Sequence, residues 1–206
     1  SGKSGLDTLD CSEIGAGGVT VDLNKAKGQW QPAVPGSALL ALKGTCEDVI
    51  GTDVADVIRG NSAANRLWGR GGDDVLYGGS GNDRLYGQAG RDRLFGDSGH
   101  DVLVGGDDDD ELDGGKGKDL LIGGAGLDQL SGSASEDILI GGGTERDANE
   151  DVLLSLLAEW TSRRSWAARI DRLTNGGGLN GSFVLNPDTS VSDDLASDTL
   201  WGGSGN

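Results

Sequence analysis

The chain has 206 residues, enough for one or two domains, and its 34 acidic against 17 basic residues give a formal net charge of −17. This charge argues against nucleic acid or an anionic membrane surface as a partner and favours cations. Glycine contributes 39 residues and aromatic residues only 4%. An ordinary globular core is hard to fill from this inventory, and the composition is typical of disorder unless something neutralises the acids.

Residues 1–50 are predicted to form N-terminal capping coils with a loop. Residues 5–9, Gly-Leu-Asp-Thr-Leu, resemble part of the repeat that follows, and residues 19–23 predict a strand. The cysteines, Cys11 and Cys46, leave two alternatives open. They form a disulfide that clips the N-terminal cap to the first coil, or they are two buried free thiols.

Residues 51–140 form ten consecutive nonapeptides without a slip in phase, each opened by glycine from Gly51 to Gly132. The sixth position is aspartate in every repeat except one, where Asn65 replaces it. The eighth position is Ile58 in the first repeat and leucine in all the others. Self-similarity at a fixed period predicts a solenoid.

Each nonapeptide predicts a six-residue turn followed by a three-residue strand whose middle side chain, at the eighth position, points inward. Two nonapeptides make one 18-residue coil, so alternate repeats stack in the same sheet. One predicted inner ladder contains Ile58, Leu76, Leu94, Leu112 and Leu130, and the other contains Leu67, Leu85, Leu103, Leu121 and Leu139.

The same stacking places like charges above one another along both edges of the solenoid. The two predicted columns are Asp74, Asp92, Asp110 and Asp128 on one edge, and Asp83, Asp101, Asp119 and Asp137 on the other. Carboxylates at this spacing repel one another unless a cation lies between them. Carboxylate and carbonyl oxygens in a flexible glycine cage suit calcium better than magnesium, which requires a strict octahedron.

These repeats resemble the RTX (repeats-in-toxin, haemolysin-type) calcium-binding family, whose nonapeptide is G-G-x-G-x-D-x-U-x. The repeats that start at Gly78, Gly114 and Gly123 match it at every defined position. The resemblance implies a parallel β-roll, an all-β solenoid with two short strands per 18-residue coil, and roughly eight calcium ions between successive turns on its edges.

The ligands that the resemblance implies are aspartate side chains and glycine carbonyls. The aspartates are Asp7, Asp56, Asp74, Asp83, Asp92, Asp101, Asp110, Asp119, Asp128, Asp137 and Asp198. The glycines are Gly69, Gly72, Gly78, Gly81, Gly87, Gly90, Gly96, Gly99, Gly114, Gly117, Gly123 and Gly126.

Several repeats depart from the pattern. Asn65 lacks the charge, and the fourth position is Val54, Ala63, Asp108 or Ser135 in four repeats, where a positive φ is costly. We therefore expect weak or absent calcium sites at the first two turns and altered sites near Asp108 and Ser135.

Residues 141–178 predict a helical insertion. Before it, one outer face of the repeats becomes wholly apolar, ending in Val102/Val104, Leu120/Ile122 and Ile138/Ile140. Asp147 and Glu150 suggest a capping box, and Leu153, Leu156, Leu157 and Trp160 share one helical face, with Trp166, Ile170 and Leu173 on a second piece. We expect this insertion to pack on the apolar face, since these aliphatic side chains should not face water.

Residues 179–206 predict a return to the solenoid, because residues 198–201 fall back into phase and residues 202–206 begin another turn. The chain contains no methionine, so we expect a processed chain or a fragment. Two readings of the ends are open: a module of a longer protein, or head-to-tail assembly into a filament. The candidate assembly ends are Gly5, Leu9, Trp201, Gly203 and Asn206.

These observations predict a calcium-dependent, extracellular structural module of a secreted or cell-surface protein that folds on binding calcium; the resemblance implies a bacterial origin. We expect it not to be an enzyme, because the single histidine, His100, lies in the repeat phase without a catalytic partner. The alternatives are a filament subunit, and the folding and secretion module of a larger lytic enzyme or toxin.

Overall fold

The computed structural model describes residues 7–14, 17–24, 46–143, 149–165, 167–169 and 199–201. Their strands form two seven-stranded parallel sheets in which successive strands alternate. The odd sheet contains β1 (Thr8–Asp10), β3 (Asp48–Ile50), β5 (Arg66–Gly71), β7 (Arg84–Ala89), β9 (Val102–Asp107), β11 (Leu120–Ala125) and β13 (Ile138–Gly142). The even sheet contains β2 (Thr20–Asp22), β4 (Val57–Arg59), β6 (Val75–Ser80), β8 (Arg93–Ser98), β10 (Glu111–Asp113), β12 (Gln129–Ser131) and β14 (Thr199–Trp201).

The register of the repeats confirms the predicted β-roll. Residues 18 positions apart pair within each sheet, as Leu85 does with Leu103 and Leu94 with Leu112. The inner ladders of the two sheets meet in one core, in which the eighth-position leucines from Leu67 to Leu130 are at most 1% exposed. Leu139, at the end of its ladder, is only partly buried.

The roll extends beyond the repeats on its N-terminal side. Val49 and Val21 continue the two inner ladders and are fully buried, and Leu9 packs against the same core. β1 pairs directly with β3, and β2 pairs directly with β4. The strands of residues 1–50 therefore belong to the same two sheets as the nonapeptides.

The predicted helix packs on the apolar face of the odd sheet. Helix α1 (Glu150–Trp160) buries the four side chains predicted to share its inner face, and they contact the aliphatic residues of β9, β11 and β13. The predicted capping box is wrong: the helix begins at Glu150, and the Asn149 side chain accepts a hydrogen bond from the Val152 backbone N–H at 3.2 Å. Trp166, Ile170 and Leu173 lie outside the described residues.

Polar contacts fix the first turn of α1 to the sheet. The Glu150 carboxylate lies 3.2 Å from the Arg84 guanidinium and 3.4 Å from that of Arg66, and the Tyr86 hydroxyl donates to it at 3.4 Å. Arg66 also forms an ion pair with Asp48 of β3. The start of the helix is thereby tied to three strands of the odd sheet.

A second set of contacts holds the end of the helix. The Trp160 indole N–H donates to the Glu136 carbonyl oxygen at 2.7 Å. Arg169 donates to the Trp160 carbonyl oxygen at 2.8 Å and to the Glu136 carboxylate at 2.7 Å, and Lys118 pairs with the same carboxylate. These partners hold the pKa of the Glu136 carboxyl down at about 2.

The two cysteines are free thiols, so the proposed disulfide between Cys11 and Cys46 is absent. Cys11 directly follows β1, whereas Cys46 precedes β3, with which β1 pairs in register. This register places Cys11 level with Gly51, five residues beyond Cys46, and an extended offset of about 16 Å exceeds the Cα separation of about 7 Å that a disulfide tolerates. Cys11 is buried in the core, and its burial raises the pKa of the thiol to about 12.

We predict that Leu94→Ala destabilises the calcium-loaded protein by about 2–5 kcal/mol, because it opens a cavity between Leu76 and Leu112 in the inner ladder. Chemical denaturation in saturating calcium measures this loss. Leu127→Ala is the matched control, since Leu127 is 55% exposed and its truncation should cost less than about 0.5 kcal/mol. Equal losses in the two variants would contradict the assigned ladder.

Candidate metal centre

Eight successive turns of the roll share one backbone conformation. From the turn that opens at Gly69 to the one that opens at Gly132, the second and fourth residues all have positive φ. Most of these positions are glycine, but Asp108 (φ 73°) and Ser135 (φ 87°) adopt the same conformation. The altered calcium sites expected near Asp108 and Ser135 therefore keep the backbone conformation of the other turns, even though the left-handed region is strained for residues with a side chain.

The aspartates at the sixth position are linked in columns by their own backbone. One carboxylate oxygen, Oδ1, accepts a hydrogen bond from the backbone N–H of the corresponding residue in the preceding coil. For example, the Asp74 N–H donates to Asp92 Oδ1, and the Asp83 N–H donates to Asp101 Oδ1, both at 2.8 Å. The same bond fixes Asp74, Asp83, Asp110, Asp119, Asp128 and Asp137 at 2.7–3.0 Å. The two predicted columns are thus formed.

The other carboxylate oxygen, Oδ2, is buried without a hydrogen-bond donor in most of these turns. This holds for Asp74, Asp83, Asp92, Asp101, Asp110, Asp119 and Asp137. A buried carboxylate oxygen without a partner is costly, and a repeated series of them in one fold indicates a cationic partner.

Backbone carbonyl oxygens converge on the same positions. A Cβ atom built on Gly96 would lie 2.6 Å from Asp101 Oδ2 and 2.6 Å from the carbonyl oxygen of Gly114 in the next coil. A Cβ atom on Gly78 would likewise lie 2.6 Å from Asp83 Oδ2 and 2.9 Å from the Gly96 carbonyl oxygen. Glycine at the first position thus lets a carboxylate and a carbonyl of adjacent coils approach each other closely.

The predicted glycines of the other edge follow the same rule. The carbonyl oxygens of Gly87, Gly105 and Gly123 each lie against the first glycine of the preceding coil, beside its aspartate. The predicted carbonyl ligands omit Gly105, although the nine-residue phase places it with the other first-position glycines. At the fourth position, the carbonyl oxygens of Gly72, Gly81 and Gly99 lie against the corresponding glycine of the next coil.

Burial makes these carboxylates difficult to ionise without a cation. It raises the pKa of Asp74, Asp101 and Asp110 to about 8, and neighbouring carboxylates of the column contribute further. Burial also raises the pKa of Asp83, Asp92 and Asp119 to about 7 and that of the half-buried Asp137 to about 6. At neutral pH each column therefore favours either protons or a bound cation.

The donor set consists of carboxylate and backbone carbonyl oxygens, which fits calcium. A family model of the RTX calcium-binding nonapeptide repeat matches residues 50–85, 86–121, 113–144 and 192–206, just over half of the chain. The chain belongs to the RTX calcium-binding repeat family. No curated protein matches it.

The remaining predicted ligands lie elsewhere. Asp7 is exposed at the N-terminal end of its column, where its backbone carbonyl oxygen accepts from Glu47 N–H at 3.1 Å. Asp198 lies outside the described residues. Asp56 and Asn65 belong to turns of a different kind, because neither the second nor the fourth residue of those turns has a positive φ. Within the described residues, no helix is long and apolar enough to cross a membrane.

The raised pKa values predict how the calcium-free protein responds to pH. Protonation of these carboxyls stabilises the folded roll below their unfolded pKa of about 4, and this stability is lost as the pH rises through about 7–8. We therefore expect the calcium-free chain to contain more β-structure at pH 5.5 than at pH 8 by circular dichroism. In millimolar calcium the signal at pH 8 should remain high, and a calcium-free signal that is independent of pH would contradict the assignment.

Proposed function

We propose that the chain is a calcium-dependent structural module of a secreted or cell-surface protein and that calcium binding folds it. The main support is the series of buried Oδ2 atoms without donors, which form two parallel columns in the folded roll. In the absence of calcium, these columns and the net charge of −17 oppose compaction. Calcium supplies the positive charge that closes the coils on one another.

The same electrostatics support the proposed extracellular location. In a cytoplasm poor in calcium, the uncompensated acids keep the chain expanded, which suits export. Outside the cell, millimolar calcium saturates sites with dissociation constants of about 10⁻⁴–10⁻³ M and couples binding to folding. The role proposed is structural and not catalytic, and in a longer parent enzyme or toxin the same property would serve folding after secretion.

Size-exclusion chromatography with light scattering tests this proposal in chelator and in millimolar calcium. We expect a constant monomer mass and a decrease in radius of gyration from about 50 Å toward about 20 Å. Magnesium at the same concentration is the control and should compact the chain far less. A radius that does not respond to calcium would contradict the proposal.

A head-to-tail filament is a second candidate, favoured by the order of the strands. β1 and β2 lie at one end of the two sheets, β13 and β14 at the other, and no described strand pairs with the outer edge of β1 or β2. Of the predicted assembly ends, Leu9 and Trp201 lie in these end strands, and the other three lie outside the described residues. A mass that grows with protein concentration in calcium would favour the filament over the monomeric module.

A further inference from the structure

The first two turns of the repeat array, residues 51–56 and 60–65, differ from the eight that follow in the hydrogen bonds to the sixth side chain, although their first glycines approach a carbonyl oxygen of the next coil in the same way. In both, the backbone N–H of the second residue donates to the side chain at the sixth position. Thr52 N–H donates to Asp56 Oδ2 at 2.6 Å, and Asn61 N–H donates to Asn65 Oδ1 at 2.8 Å. In seven of the later turns, the buried Oδ2 atom of the sixth residue has no such donor.

Both oxygens of Asp56 have protein donors. In addition to the Thr52 N–H, the Thr52 hydroxyl lies 3.1 Å from Oδ1 and 3.2 Å from Oδ2, and the Val19 N–H donates to Oδ1 at 2.5 Å. Val19 occupies the position of the aspartate in the coil before, so Asp56 is the first acid of its column. Hydrogen bonds from Thr52 and Val19 thus reach both of its carboxylate oxygens.

In the second turn, protein groups also hydrogen-bond the side chain at the sixth position, which is the uncharged Asn65. The Asn65 amide accepts from Asn61 and donates through its Nδ2 to the Glu47 carbonyl oxygen at 3.1 Å. Both turns carry a residue with a Cβ at the fourth position, Val54 or Ala63, and neither residue has the positive φ of the later turns. Two neighbouring turns, one on each edge, thus satisfy the sixth side chain with protein donors.

We propose that the turns 51–56 and 60–65 close without calcium and that the calcium-binding part of the roll begins at the turns that open at Gly69 and Gly78. Asp56 is then a structural aspartate that caps its column rather than a ligand. The two stacked pairs that include these turns hold no ion, which leaves roughly six of the eight pairs within residues 51–140. The inference rests on the proposed calcium-dependent folding.

The test is a comparison of calcium stoichiometry in the full-length chain and two matched variants. Native mass spectrometry counts the ions bound to the parent, to Asp56→Asn and to Asp92→Asn, which lie in the same column two coils apart. We expect Asp56→Asn to bind as many ions as the parent, and Asp92→Asn to bind at least one fewer. Loss of an ion from Asp56→Asn would overturn the proposal, even if Asp92→Asn failed to fold.

A second variant distinguishes the structural role of Asp56 from a role in calcium binding. Thr52→Val removes the hydroxyl that bonds Asp56 and should lower the Tm in saturating calcium by about 2–4 °C, with the number of bound ions unchanged. A reduced ion count in Thr52→Val would overturn the proposal. A parent chain that binds no calcium would instead refute the proposed function itself, so the two failures are distinguishable.

Discussion

The structure depends on one electrostatic constraint: aspartates that recur every 18 residues are stacked in buried columns along both edges of the roll. Each carboxylate is held by a backbone N–H of the coil before it, so the columns cannot relax by moving side chains into water. In seven of the later turns, the second oxygen of the carboxylate is buried without a donor. The alignment of the coils and the candidate cation sites are consequences of a single arrangement.

The two outer faces of the roll carry different side chains. The odd sheet carries aliphatic side chains that α1 covers. At the start of the helix Glu150 pairs with Arg84 of β7, and at its end Trp160 donates to the Glu136 carbonyl oxygen in the turn before β13. Both sheets carry a stacked aromatic pair, Trp68 on Tyr86 in the odd sheet with ring centroids 5.8 Å apart and Tyr77 on Phe95 in the even sheet with ring centroids 5.0 Å apart. The repeat fixes the interior of both sheets, whereas the outer faces vary freely from coil to coil.

The nonapeptide phase was sufficient to predict the inner ladders, the two aspartate columns and the glycine turns, and helical spacing was sufficient to predict the apolar side of α1, because each depends on a strict period. Features without a period were harder to predict. Helix capping by Asn149 is a local choice among neighbouring polar residues, and the free state of Cys11 depends on a register that pairs Thr8 with Asp48 across a non-repeating segment. The donors to Asp56 come from Thr52 and from Val19, which lies 37 residues away.

The register also has a consequence for how such a chain can evolve. Thr8 pairs with Asp48 and Gln129 with Thr199, so strands separated in sequence by more than one 18-residue coil still join their sheet in phase. Since each coil contacts only its neighbours, duplication of an 18-residue unit adds one layer, and an insertion at a turn leaves the other layers in place. The number of coils and the insertions at the turns can therefore change by recombination while the core keeps its residues.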